Sequence, residues 1–428
     1  MVFDLVVEGR IVDVSNIFEA QIGIEDGLIK EIKKSGLKGD TFVKVNGSLI
    51  FPGFIDMHVH LREPGWEYKE DFLTGTKAAA HGGVTTVLDM PNTPKPATNV
   101  ENVKEKFYSA KKRGSVDILL YGGATVENIN ELQKMGRYVR GYKMFLCEST
   151  GGMFFNDALK LPTYLKTLED IGKIVSFHCE NQEINEKAKE KLKGRNDPKA
   201  FVESRPPSSE VNSIKNLISS LNHFRNLKAN IAHLSTADGF ALVEKFKQSG
   251  HPITCEVTPH HLFFTKSNIK DEKAFLRMNP PLRNDSDRKA LINGVKEGKV
   301  DFLATDHAPH TIKEKSQDVW NSPSGVPGLD TYGNFVSWLI GQGISPMTIV
   351  KITSFNAANI LGLNKGSIEK DRIADLVVLD MKNEEKISSE SLFTKCGWSP
   401  FEDIEFPGRV SYTIYKGKVI FDGENIIN

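Results

Sequence analysis

Short apolar runs alternate along the chain with longer charged stretches whose apolar residues recur at helical spacing. The runs are FIDMHVH (54–60), VTTVLDM (84–90), VDILLYG (116–122), VRGYKMFL (139–146), KIVSFHC (173–179), ANIAHLS (229–235), PITCEVT (252–258) and VDFLAT (300–305). Segments such as NVENVKEKFYSAKKRG and SSEVNSIKNLISSLNHFRN separate them, so strands alternate with helices, the pattern of βα units around a parallel sheet. Eight in succession predict an α/β fold, a (β/α)8 TIM-like barrel.

The flanks read differently. Residues 1–51 (VVEGRIVDV, IGIEDGLIKEI) and 366–428 (ADLVVLD, SYTIYKGKVIFDGENI) show β-like pieces and turns with few helical patterns. They predict a small β-sandwich domain formed by both termini, in parts 1–51 and 366–428, around a barrel of residues 52–365. The longest interval between strands, about 180–228, contains KAKEKLKGRNDPK and ESRPPSSE. A long connection on the active face of a barrel is expected to act as a mobile lid.

Barrels of this kind keep their chemistry at the C-terminal ends of the strands. The first run ends in His58 and His60, which at i and i+2 share one face of a strand. The second leads to Asn92, the fourth carries Lys143, the fifth His178 and the sixth His233. Glu256 stands in the seventh ahead of His260 and His261, and the eighth leads to Asp306 and His310; only the third lacks an obvious candidate. Taken singly, such a histidine is more often a satisfied core residue, the aspartate a cap and the lysine a snorkelling side chain. His58, His60, Lys143, His178, His233 and Asp306 at the same end of five strands point instead to metal. Four imidazoles, a carboxylate and an amine exceed one tetrahedral ion and suit two adjacent ones.

Lysine is the unusual member, because an ammonium has no lone pair to give. Desolvation lowers its pKa, and the neutral amine can react with carbon dioxide to form a carbamate whose two oxygens bridge a pair of cations. Arg62 follows His60 by two residues, and its planar fork suits a carboxylate on the substrate.

Composition narrows the partners. Lysine plus arginine equals aspartate plus glutamate at 55 each, and no basic run is interleaved with aromatics, which excludes nucleic acid in favour of a small molecule. The four cysteines, Cys147, Cys179, Cys255 and Cys396, form no CxxC pair and read as reduced thiols. With no leader-like N-terminus and no apolar window of about 18 residues, the expectation is a cytoplasmic protein without membrane insertion.

FPGFIDMHVHLREPG, the GYKMFL lysine, FHCE, AHLS, ATDHAPH and KGSIEKDRIADLVVLD together resemble the cyclic amidohydrolase superfamily, most closely its dihydroorotase family, over nearly the whole chain. The resemblance implies two Zn2+ ions bridged by N6-carboxylated Lys143, with His58 and His60 on the first metal, His178 and His233 on the second, and Asp306 as first-metal ligand and acid/base. It implies reversible cyclisation of N-carbamoyl-L-aspartate to (S)-dihydroorotate in pyrimidine (UMP) biosynthesis, with zinc-activated hydroxide as the nucleophile of the reverse, ring-opening direction. His60, Arg62, Asn92, Asn279 in RMNPPLR, His310, and Ser324 and Gly325 in SPSGVPGLDT correspond to substrate contacts, the last two through backbone groups. Glu256 serves a third metal or a hydrogen bond to a ligand, and His260, His261 and His307 are assigned supporting roles. A homo-oligomer and association with aspartate carbamoyltransferase are further implications. Allantoinase or hydantoinase/dihydropyrimidinase activity keeps every metal ligand, so Arg62 and the cradle residues carry the distinction. A non-catalytic scaffold relative is disfavoured by the full set of six ligands.

Overall fold

The computed structural model describes residues 2–269 and 274–427. Eight strands, Phe54–Val59, Val84–Asp89, Asp117–Gly123, Gly141–Phe145, Ile174–His178, Ala229–Ile231, Ile253–Val257 and Phe302–Leu303, pair in sequence order as a parallel sheet. The ring closes through a parallel bridge between Val59 and His307, with the His60 amide donating to the His307 carbonyl at 2.7 Å. The expected eight-stranded barrel is therefore present.

Helices cover it with one apolar stripe each. Leu161–Ile171 buries Tyr164, Leu165 and Leu168, and Pro207–Leu221 buries Ile214, Leu217 and Leu221, the spacings that place side chains on one helical face. Truncating such a residue, for example Leu217→Ala, costs about 2–5 kcal/mol through lost transfer energy and the cavity left behind. The 180–228 interval, expected as a lid, is largely helical: Gln182–Glu190, Pro198–Ser204 and Pro207–Leu221. Its prolines sit where helices begin, since Pro198 and Pro207 each open one.

Two strands fall furthest short of the apolar runs that predict them. The sixth stops at Ile231 rather than 235, and the eighth covers Phe302–Leu303 rather than 300–305. His233 and Asp306 explain this, because both have left-handed backbones (φ 36° and 48°) that no strand can hold. Thr305 has already left the ladder, giving its amide and hydroxyl to the Asp56 carboxylate.

The termini form one continuous seven-stranded sheet. Val2–Val12 pairs antiparallel with Ile17–Glu25 and parallel with Lys38–Pro52, and Leu376–Asp380 from the C-terminal end joins the other side of Lys38–Pro52. Leu5, Val7, Ile22, Ile24, Ile50 and Leu376 contribute to its core. Only Gly53 separates Lys38–Pro52 from the first barrel strand. A Cβ there would lie 2.4 Å from the Thr85 hydroxyl, so the close approach of the two sheets needs glycine.

Candidate metal centre

The first barrel strand and the turn after the eighth bring His58, His60 and Asp306 together, with potential ligand atoms all within 4.8 Å of one another. Asp306 Oδ1 lies 3.1 Å from His60 Nε2 and 3.3 Å from His58 Nε2. The far nitrogen of His58, Nδ1, donates to Glu256, which also accepts from Asn230 Nδ2 at 2.9 Å and from the His233 amide at 3.1 Å. Glu256 thus fixes the His58 tautomer and leaves a lone pair on Nε2 facing the Asp306 carboxylate. Two electron-rich atoms so placed suit a cation between them.

The fifth and sixth strands supply the neighbouring pair. His178 Nδ1 and His233 Nε2 are 2.9 Å apart, and His178 Nε2 donates to Glu180 at 2.9 Å. Burial lowers the pKa of all four imidazoles, and the Lys143 amine pushes the same way, which keeps them neutral and able to bind metal. Lys143 is fully buried, and its Nζ has no hydrogen-bond partner. Burial brings its pKa down to about 8 against the opposing pull of Glu256 and Asp306. At pH 7 about one amine in ten is then neutral, compared with about one in three thousand at the ordinary value. His233 Nδ1 is also buried without a partner. These orphaned atoms and the neutral donors fit two divalent cations and a carbamylated lysine.

Arg62 stands just past the first strand, 1% exposed and with φ 64°. Its Nε donates to the Pro309 carbonyl at 3.0 Å, and Nη2 lies 3.0 Å from His310 Nε2. Among the described residues no carboxylate oxygen comes within 4.0 Å of it. A surface arginine is thereby ruled out, and a buried guanidinium without a counter-ion is costly unless a ligand supplies one. Arg62, His233 and Asp306 all hold the left-handed backbone, a local cost that recurs where geometry serves a ligand.

The cavity wall includes His58, His60, Arg62, Asn92, His178, His233, Asn279, Asp306, Ser324 and Gly325. Lys143 and His310 lie behind it. Both nitrogens of His310 are engaged, Nδ1 with Lys69 Nζ at 3.0 Å and Nε2 with Arg62 and the Ser324 carbonyl. Ser324 Oγ donates to Asn279 Oδ1 at 3.2 Å. Gly325 donates its amide to the Arg277 carbonyl, and its own carbonyl accepts from the buried Lys315, so both of its backbone groups are used within the protein. Its φ of 142°, with the Ala308 carbonyl 2.4 Å from where a Cβ would sit, requires glycine. Thr150 also lines the cavity, and its carbonyl accepts from Asn92 Nδ2 at 2.7 Å. The enclosed volume is about 30 Å³.

His307 accepts from the Gly328 and Leu329 amides, and His261 bridges Thr258 Oγ1 and the Pro280 carbonyl, the supporting roles expected of them. Sequence reasoning missed Glu180 and Arg205, which pair at 2.5 Å behind His178. The available signal was Glu180 at i+2 from His178 within FHCE.

Residues 49–420 match the family described as "Amidohydrolase family", and the chain belongs to it. Within that family, similar curated proteins are dihydroorotases. The one from Methanosarcina acetivorans is 36% identical over 423 residues, covering 95% of this chain and 89% of the relative. The one from Pyrococcus furiosus is 36% identical over 430 residues, covering 99% and 94%. Among solved structures, the L-hydantoinase (dihydropyrimidinase) of Arthrobacter aurescens superposes with a TM-score of 0.96 at 26% identity, covering 100% of this chain and 98% of its own.

Proposed function

We propose that this chain is a dihydroorotase, a zinc-dependent cyclic amide hydrolase that interconverts N-carbamoyl-L-aspartate and (S)-dihydroorotate in pyrimidine biosynthesis. The observation that carries the substrate class is Arg62, a buried guanidinium on the cavity wall with no carboxylate partner among the described residues. Dihydroorotate has a ring amide and an exocyclic carboxylate, whereas hydantoin, dihydrouracil and allantoin lack the carboxylate. The dihydroorotase relatives agree with this choice, and the hydantoinase likeness reflects the shared barrel and ligand set.

His58, His60 and Asp306 would hold one Zn2+, His178 and His233 the other, with N6-carboxylated Lys143 between them. The two ions would supply Lewis acidity and acidify a water toward neutrality. Burial raises the Asp306 carboxyl against the opposing charges of His58 and Lys143, which suits a group that takes a proton during ring opening and delivers it to the leaving nitrogen. In cyclisation the same group works in reverse. Arg62, with His310 packed behind it, receives the carboxylate, while His60, Asn92, Asn279 and Ser324 orient the ring and Gly325, lacking a side chain, leaves room for it. The proposal carries with it a cytoplasmic homo-oligomer able to associate with aspartate carbamoyltransferase.

The test is kcat/KM of zinc- and bicarbonate-supplied protein on dihydroorotate, allantoin and dihydrouracil side by side. A preference for dihydroorotate of about a hundredfold or more, roughly 2.7 kcal/mol of discrimination, is the expected result. Preference for either uncharged ring would move the chain to another branch of the family.

A further inference from the structure

The RPPSSE segment, residues 205–210, has no part in the chemistry described above, yet both of its ends reach the neighbourhood of the His178–His233 pair. Arg205 places Nε 2.9 Å and Nη2 2.5 Å from the two oxygens of Glu180, a bidentate pair in which Glu180 is fully buried. Glu180 in turn accepts from His178 Nε2. Five residues on, Glu210 accepts from the Ser235 amide at 3.0 Å, the Thr236 amide at 3.2 Å, the Thr236 hydroxyl at 3.1 Å and the Ser235 hydroxyl, gripping the loop that leaves His233. Arg283 joins the two halves, donating to the Arg205 carbonyl at 2.6 Å and to Ser235 Oγ at 3.0 Å.

We infer that Arg205 and Glu210 are positioning residues for the second metal site: Arg205 sets the ring of His178 through Glu180, and Glu210 sets the loop that carries His233. The physical reason lies in the backbone. His233 has a left-handed φ of 36° outside the strand ladder, so carboxylates hold it instead: Glu256 takes its own amide, and Glu210 grips the residues that follow. His178 ends its strand, and its far nitrogen is held by Glu180, which sets the rotation of the ring. One helix start, opened by Pro207, supplies both constraints and spans the two strands that provide the pair. The long 180–228 connection thus acts as a clamp on the metal-binding histidines.

The inference rests on the two-metal reading, so wild-type protein is stripped and titrated first with Zn2+ in bicarbonate against a competing chelator, without substrate. Two equivalents are expected; fewer would overturn that reading and this inference with it. In Arg205→Met and Glu180→Gln, one equivalent should bind about 10–100-fold more weakly while the other is unchanged, and the visible spectrum of the Co2+-loaded protein should change for that equivalent alone. Arg205→Lys, which keeps the charge and loses the fork, should recover only part of the affinity. Glu180→Gln preserves size and an acceptor for His178, so it carries the test if Arg205→Met does not fold. Variants with wild-type near-UV circular dichroism that bind both equivalents at wild-type affinity would overturn the clamp.

Discussion

Two buried charge clusters lie at opposite ends of the barrel strands, and they differ in how fully their members are partnered. At the N-terminal end, Lys365 donates to Thr86 Oγ1, Asp117 and Asp375, while Tyr415 and Lys416 add to Asp117 and the Lys416 amide adds to Asp375. Each charged group there has a protein partner, and the cluster ties the barrel to the terminal sheet. At the C-terminal end, among the described residues, Lys143 Nζ and His233 Nδ1 have none, and Arg62 has no carboxylate. Desolvating a charge is offset in the first case within the fold itself, and in the second only by a ligand. A closed cluster holds the fold together; an open one binds something.

The largest effect that would break this comparison comes from Lys143→Ala. It should lose bound zinc and, with it, activity by about a thousandfold or more, since the acidified water and its electrophile go together; metal analysis and kcat on the same preparation check it. Lys365→Met should act on stability alone. Leaving Asp375 buried without its cation, while the part-exposed Asp117 keeps Lys416, should cost about 3–5 kcal/mol, read as a lower denaturation midpoint, while kcat of the folded fraction is unchanged. A smaller effect follows from acid titration. Burial alone would raise the Asp117 carboxyl, but Lys365, Tyr415 and Lys416 bring it down to about 2. Its folded value is depressed, so its stabilisation is present above the ordinary aspartate range near pH 4 and is lost as the pH falls through about 2. Asp117→Asn should flatten the stability profile in that window, as followed by denaturant melts from pH 5 to pH 2.

The open cluster was largely legible in the sequence, because strand ends in a barrel converge and six candidate ligands stood at one end of them. The i, i+2 spacing put His58 and His60 on one face, and the ligands at the other strand ends decided for metal. The backing was less legible. Glu180 meets Arg205 across 25 residues, and Glu256 meets His58 across 198, pairings that no local pattern encodes. The ends of the sixth and eighth strands were overestimated for a related reason: ANIAHLS and VDFLAT look like continuous strands, but His233 and Asp306 adopt backbones that serve the site rather than the ladder. The 180–228 interval was read from its length as a lid, and its helical content and the inward-facing Arg205 and Glu210 were not legible.

The central claim is that the open cluster is completed by a carboxylate-bearing cyclic amide, and Arg62→Met tests it most directly. Measured against wild type, kcat/KM should fall about a hundredfold or more on dihydroorotate, with zinc content retained and turnover of dihydrouracil, which has no carboxylate for Arg62 to hold, unchanged. Undiminished turnover of dihydroorotate, or an equal loss on both substrates, would contradict the account.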